Sequence, residues 1–406
     1  MKTEKILICA LCGIGDSLFF LPSLHVLKKN YPLSKIHLLT PPNGCDDLLK
    51  KEKRIDKIIV FPWQKWLPSN KRKPLWKNFF ELFSCLLKIR REKYGLCFWP
   101  FAVTTSKKML LSCFLGAQKT FIHIGPTWWN RIKILKFLRI IPFRRKDHFV
   151  DRNLDLLRAS GVKISESSLP FILETSSNGG GNLLPLPKDQ ILIGIHPGGN
   201  LLWNKTRRWG TEKFSQVALE LSKEIDAHFL IFGTPPEEEI LKSITNQIPD
   251  RSTVVSNISL TECSLLFEKL HLFIGNDSSL IHLAASKGVK TLAVIGPTNP
   301  RQTGPFGEKG YSVRVDLPCS PCFDTGFSNV CPERSCLTQL DPVQVAKISL
   351  KILRSEGKQK IFDLSPSNHQ FASSSTLLVE RQRYEESYLK KLAFLNEAVI
   401  PLPRHL

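Results

Sequence analysis

Two stretches of the chain place side chains of reactive type at spacings that can do chemistry. The first is Gly-Ile-Gly-Asp at residues 13–16, directly after an apolar run at 5–11. Gly13 and Gly15 leave backbone room for a close ligand. Asp16 stands where a helical pattern begins, so its carboxylate either accepts from the free N–H groups of the first turn as a cap or performs the chemistry itself. The second stretch is GNDSSLIHLAASKGVKTLAVIGPTNP, residues 275–300. Asn276, Asp277, Ser278 and Ser279 read as capping residues at a helix start, whose free N–H groups and positive dipole end can hold phosphate oxygens. His282 lies one turn on and can face the same ligand. Each of these residues also has an ordinary structural role, as a cap or as a satisfied core histidine. Strand, polar turn and helix coinciding make a more specific signal than any one of them.

Such residues need a scaffold, and the hydrophobic pattern supplies one. Strand patterns at 5–11, 35–40, 57–61, 95–99 and 119–124 alternate with helical patterns at 17–30, 75–93, 103–115 and 150–162. The second half repeats the alternation, with strands at 190–199, 227–234, 270–278 and 290–298 and helices at 211–224, 236–246, 261–269 and 278–287. Strand and helix in alternation predict two doubly wound parallel sheets, α/β in class, with ligands outside the carboxyl ends of the strands. The stretch from 165 to 188 is rich in Ser, Gly and Pro and reads as the connection between domains. The expected divisions are 1–170, a linker at 171–188, a second domain at 189–357 and a polar, then helical, extension at 358–406.

At 406 residues and 42% hydrophobic content the chain can bury two cores. The N-terminal run is short and ends in a glycine turn with an acid, unlike a signal peptide, and no stretch is long enough to span a membrane. With 11 scattered cysteines read as reduced thiols, the expected location is the cytoplasm, with peripheral contact to the inner-membrane surface. The net charge of +21 is concentrated between Lys65 and Lys146 and is interleaved with Trp63, Trp66, Trp76, Phe79, Phe80, Trp99, Trp128 and Trp129. Basic and aromatic surface suits an anionic membrane or a nucleic acid. No nucleic-acid-binding motif accompanies it, so the membrane is the expected partner and no nucleic acid is expected.

The blocks GIGDSLFFLPSL, IGIHPGGN with RRWGTEKF, FGTPPEEE and GNDSSLIHLAASKGVKTLAVIGPTNP occur in the order and spacing of glycosyltransferase family 9, the heptosyltransferases, which the chain resembles over roughly residues 1–350. The resemblance implies a GT-B architecture, two Rossmann-like domains facing a cleft, with acceptor bound by the first and an ADP-sugar donor, typically ADP-L-glycero-D-manno-heptose, by the second. It implies inverting transfer to the lipopolysaccharide core or a similar anionic glycolipid; no acidic pair typical of a metal-held nucleotide stands out, so the transfer is expected to be metal-independent. Asp16 matches the catalytic base, on the acceptor-side turn with Gly13 and Gly15. Arg207 stands where the family often has Lys and would neutralise the departing diphosphate, with Lys205 a competing candidate. Glu237 resembles the acid that binds the donor ribose, and Ile258 lies near the adenine. Asp277, Ser278, Ser279 and His282 match the donor-binding turn, with Ser279 where relatives often have Gly, and Pro297 and Thr298 fall at the pocket edge.

Cys319, Cys322, Cys331 and Cys336 lie outside this scheme and can supply four thiolates to zinc, although reduced thiols in a loop after the donor site are the preferred reading. Two alternatives stay open: the same fold with a different nucleotide-sugar donor, and a non-catalytic nucleotide-binding protein acting on anionic lipid or nucleic acid. A Rossmann oxidoreductase is disfavoured, because only the first two glycines of a G-x-G-x-x-G motif are present in CGIGDSL.

Overall fold

The computed structural model describes residues 4–61, 75–100, 106–124, 138–142, 147–165, 169–175, 184–199, 205–323, 327–331, 333–354 and 360–366, with 379 and 382 beyond them. The first half contains β1 (Lys5–Cys9), α1 (Ile14–Leu18), α2 (Leu21–Asn30), β2 (Lys35–Thr40), α3 (Cys45–Leu49), β3 (Lys57–Val60), α4 (Leu75–Arg91), β4 (Leu96–Trp99), α5 (Ser106–Leu115), β5 (Lys119–Ile124), β6 (Leu138–Pro142) and α6 (Phe149–Ala159). The second half contains β7 (Ile191–His196), α7 (Thr211–Glu224), β8 (Ala227–Phe232), α8 (Glu238–Thr245), β9 (Ser252–Val255), α9 (Leu260–Phe267), β10 (Leu272–Asn276), α10 (Ser279–Ser286), β11 (Lys290–Val294), α11 (Pro300–Thr303), β12 (Gly310–Val315), α12 (Ser335–Thr338), α13 (Pro342–Arg354) and β13 (Ile361–Leu364).

The strands form two parallel sheets. One has six strands in the order β3-β2-β1-β4-β5-β6, and the other seven in the order β13-β12-β11-β10-β7-β8-β9. Each order reverses direction once, between β1 and β4 in the first sheet and between β7 and β10 in the second. Loops at such a switch point diverge and leave a crevice. The turns that carry chemistry, 10–16 after β1, 197–199 after β7 and 277–279 after β10, all sit at these two places.

Alternation along β1 sends Ile6 and Ile8 into a cluster with α1, α2 and α6, while Leu7 and Cys9 face the opposite layer with Leu82, Leu86 and Ile89 of α4. The Ile6 and Ile8 cluster does not stop at the domain edge; it continues through Ile281, Leu283 and Ala284 of α10 to Ala293 of β11. The domains therefore share apolar packing through α10. A polar latch lies beside it: His148 Nδ1 accepts from the Val150 N–H at 3.2 Å, which leaves its Nε2–H to donate to the Gly304 carbonyl of the second half at 3.0 Å. Burial holds that imidazole down to about 4, so it is neutral at pH 7.

Two expectations need correction. The single helix over 17–30 is two helices, because Pro22 lacks an N–H and opens a new first turn in α2 while Phe19 and Phe20 form the break. Of the aromatics read as surface, Trp99 is buried in the first sheet's core. Trp63, Trp66, Trp128 and Trp129, and the side chains of Trp76 and Phe79, lie outside the described residues. Among the described residues no helix is long and apolar enough to cross a membrane.

The described part of the connecting segment is pinned. Glu52 and Arg54, both buried, pair at 2.7 Å; the Glu174 N–H donates to Glu52 at 2.8 Å and Arg54 donates to the Ile172 carbonyl at 2.5 Å. On the other side the Leu173 N–H donates to Ser286 at the end of α10. Removing one partner of a buried pair strands the other charge, at a cost of about 3–5 kcal/mol. Glu52→Ala is expected to lose that much unfolding free energy in urea denaturation; a variant within about 1 kcal/mol of the parent would show that the segment is held by its apolar residues alone.

Candidate active site

The donor-side turns are tied together by Asn276, the last residue of β10. Its Nδ2 donates to the carbonyls of Pro197 and Gly198 at 2.7 and 3.1 Å, and its Oδ1 accepts from the Trp209 N–H at 3.0 Å. Asn276 thus joins the turn after β7 to the segment that carries Arg207 and Arg208, instead of capping α10. Ser278 is the capping residue of α10, but its hydroxyl meets His196 Nδ1 at 3.0 Å and makes no bond to the helix N–H groups. The first-turn N–H groups of this eight-residue helix are therefore left for a ligand.

Asp277 is buried beside that turn. Its Oδ2 accepts from the Thr298 hydroxyl at 2.7 Å and pairs with Arg207 at 3.3 Å. The guanidinium of Arg207 in turn lies 4.0 Å over the Phe323 ring, and its Nε, buried, has no protein partner. An arginine held on one side by a carboxylate and on another by an aromatic face is fixed in direction, with donor capacity left for an anion. Lys205 shares a 3-10 turn with Arg207, and its side chain lies outside what is described.

Glu237 is buried and fully engaged. It accepts from Arg208 at 2.6 Å, from the Gly199 N–H at 3.2 Å and from both the N–H and hydroxyl of Thr234 at 3.0 and 2.8 Å. Burial pushes its carboxyl up, but the hydrogen bonds from Thr234 and Gly199 outweigh it and hold the group below the usual carboxylate range. A Cβ at Gly198 would collide with this carboxylate, so Gly198 lets the acid lie under the turn. Ile258 is half-buried in the turn between β9 and α9, and Pro297 and Thr298 are buried after β11. The Pro297 carbonyl accepts from the Cys322 and Phe323 N–H groups at 2.8 and 2.9 Å.

Asp16 lies across the domain boundary from these groups. Helix α1 packs on α10: a Cβ on Gly15 would stand 2.7 Å from His282 Cδ2 and 3.6 Å from the Ser279 Cα. Gly15 is thus the close-approach residue between the domains, and its neighbour Asp16 is carried to the side of the donor-side turn. The capping position of α1 belongs to Gly13; Asp16, half-buried, is in the first turn with Oδ2 turned back to within 3.2 Å of where a Gly13 Cβ would be. The cap expected of Asp16 is absent because Asp16 is a residue of the first turn itself, three positions past the capping residue; the neighbouring Ser17 hydroxyl donates to the Gly13 carbonyl at 3.0 Å. His282 is buried with its ring 4.6 Å from that of Phe19, and its Nδ1 has no protein partner. Burial holds His282 and His196 down to about 4, so both are neutral at pH 7.

The sequence reading missed His196, Arg208, Phe19 and Phe323 as members of this site. His196 ends β7 inside the IGIHPGGN segment, which is a usable signal. Phe323 lies far along the chain and has none. Cys319, Cys322 and Cys331 follow β12 and Cys336 lies in α12, and among the described residues no two cysteines form a disulfide. Burial pushes the Cys336 thiol up to about 12, with the thiols of Cys322, Cys319 and Cys331 adding to it. Among the described residues no group of three or more His, Cys, Asp or Glu is arranged to hold a metal ion.

Two Rossmann-like sheets meeting through α1 and α10, with their switch-point turns face to face, define a GT-B fold. The glycosyltransferase family 9 (heptosyltransferase) model matches residues 102–331, and the chain belongs to that family. It is a glycosyltransferase. Lipooligosaccharide heptosyltransferase 2 of Campylobacter jejuni is 26% identical over 360 residues, 86% of this chain and 98% of that one. Among solved structures, Escherichia coli ADP-heptose lps heptosyltransferase II superposes with a TM-score of 0.65 at 19% identity, covering 86% of this chain and 98% of its own. Escherichia coli heptosyltransferase WaaC with ADP gives 0.65 at 17% identity, covering 86% and 99%.

Proposed function

We propose that the chain transfers a heptosyl residue, or a related sugar, from an ADP-sugar to a hydroxyl of a lipopolysaccharide core or similar cell-envelope glycan, with inversion at the anomeric carbon. The observation that carries this reading is the packing of α1 on α10, which brings a first-domain carboxylate beside a second-domain turn rich in free N–H groups. In the proposed step Asp16 takes the proton of the acceptor hydroxyl as its oxygen bonds to the anomeric carbon. The bond from that carbon to the diphosphate oxygen breaks, and ADP leaves. Arg207, in preference to its competitor Lys205, and the start of α10 at Ser278 and Ser279 receive the charge that develops on the diphosphate, so the step needs no metal. Asp277 and Thr298 aim Arg207. Glu237 is proposed to serve the ribose by holding the turn at 197–199, Ile258 to lie against the adenine, and His282, Pro297 and Gly13 to bound the sugar and acceptor.

The Ser279 side chain narrows the space next to the sugar relative to Gly, which bears on the donor's identity. Purified protein offered ADP-, UDP- and GDP-sugars with a lipopolysaccharide core acceptor is expected to consume the ADP-heptose, to give a product of inverted anomeric configuration by NMR, and to keep its rate in EDTA. Transfer from a UDP- or GDP-sugar only would replace the donor assignment, and ADP binding without transfer from any donor would reject the enzymatic step. With such an acceptor, we infer that the reaction takes place at the cytoplasmic face of the inner membrane.

A further inference from the structure

Helix α10 begins with a serine that does not cap it. Ser278, in the capping position, is extended with φ −146° and ψ 170°, the backbone shape from which a serine oxygen ordinarily accepts from an N–H two or three residues on. That bond, to Leu280 or Ile281, is not made. The hydroxyl instead meets Nδ1 of His196, the last residue of β7, at 3.0 Å.

The fold fixes His196 in place to do this. β7 and β10 pair in parallel with Gly275 opposite His196, and a Cβ on Gly275 would stand 3.1 Å from the His196 carbonyl oxygen and 3.2 Å from its Cβ. Gly275 therefore lets the strands lie close at this pair. Asn276 ties down the next two carbonyls, those of Pro197 and Gly198, so the imidazole stands on a backbone held from both sides. The residue is only 5% exposed, and burying a polar ring is costly without a hydrogen bond, so an apolar side chain would fill the same place at less cost. Neutral at pH 7, the ring brings no charge to the donor turn. Its contribution there is the bond to Ser278.

We propose that His196 is a positioning residue of the donor site: by holding the Ser278 hydroxyl off the N–H groups of α10, it keeps the start of that helix open for the diphosphate of the sugar donor. Without the imidazole, Ser278 turns onto its own helix, and the diphosphate has to displace that cap before it binds. The assignment rests on the reading of the chain as an ADP-sugar transferase, and it gives that site a residue that acts through Ser278.

Isothermal titration of the full chain with ADP tests it. His196→Phe, which fills the space but cannot hold the hydroxyl, is expected to weaken ADP binding roughly fivefold, which is about 1 kcal/mol, the worth of one serine cap. His196→Asn, whose amide stands at the Nδ1 position, is expected to bind ADP within about twofold of the parent. Ser278→Ala does not strengthen binding in the parent, but added to His196→Phe it is expected to restore the affinity of Ser278→Ala alone, because no hydroxyl remains to cap the helix. A histidine that only packs the strand end predicts that the two losses add and that Asn does not rescue. Either of those results overturns the proposal, as does unchanged ADP affinity in His196→Phe. Where His196→Phe does not fold, His196→Gln, with its amide at the Nε2 position, takes its place, and equal affinities of the Gln and Asn variants overturn the proposal. Absence of ADP binding by the unaltered protein refutes the ADP-sugar reading itself, and this assignment with it.

Discussion

Asp16→Asn is expected to lower kcat for sugar transfer by roughly 10²–10⁴-fold, the range that a positioned general base contributes, while the affinity for ADP-sugar stays within about twofold. The substitution preserves size and the ability to accept hydrogen bonds, so it isolates proton transfer from packing. The competing role, that of a helix cap, makes the opposite forecast. An acid in the first turn of an exposed helix is worth about 0.3–1 kcal/mol through the dipole, so loss of a purely structural Asp16 would shift the denaturation midpoint and spare turnover. The structure already narrows that role, since Gly13 holds the capping position of α1 and Asp16 lies within its first turn. Single-turnover rates with isothermal titration of ADP separate the two, and a kcat within about threefold of the parent would sink the assignment of Asp16 as base.

How much of this was legible in the sequence follows from which interactions are local. Strand, glycine turn and helix at 5–30 and 270–287 depend on patterns a few residues long, and they fall where expected to within a few residues. β6 is an edge strand that carries Arg139 and ends in Pro142, and β12 and β13 close the far edge of the second sheet with Ser312, Arg314 and Asp363 among their residues; polar residues break the continuous apolar run that marks a buried strand. The site itself divides the same way. Asp277 and Ser278 could be read as polar residues at the end of a strand. That Asp277 holds Arg207, or that Asn276 joins two turns, depends on segments about 70 residues apart meeting at the switch point. Gly15 is the sharpest case: in sequence it reads as room for a ligand, and in the fold the room is filled by His282 from the other domain. Only the packing of two domains can reveal that.

The competition between Arg207 and Lys205 for the leaving diphosphate is settled by paired substitutions. Arg207→Met keeps an unbranched stem against Phe323 but removes the charge, and is expected to lower kcat by roughly 10²–10³-fold, as for loss of one preorganised donor to a developing anion. Because Asp277 is 3% exposed and keeps only the Thr298 bond, the variant also loses some stability, which Arg207→Met with Asp277→Asn should restore without restoring turnover. Arg207→Lys is expected to fall between, since an ammonium retains charge but not the planar fork that spans Asp277 and the Phe323 ring. Its residual rate measures how much of the arginine's contribution is direction and how much is charge. Lys205→Met with near-parental kcat completes the assignment. If instead Lys205→Met abolishes transfer and Arg207→Met leaves it intact, the diphosphate cation is Lys205, and Arg207 serves only to neutralise the buried Asp277.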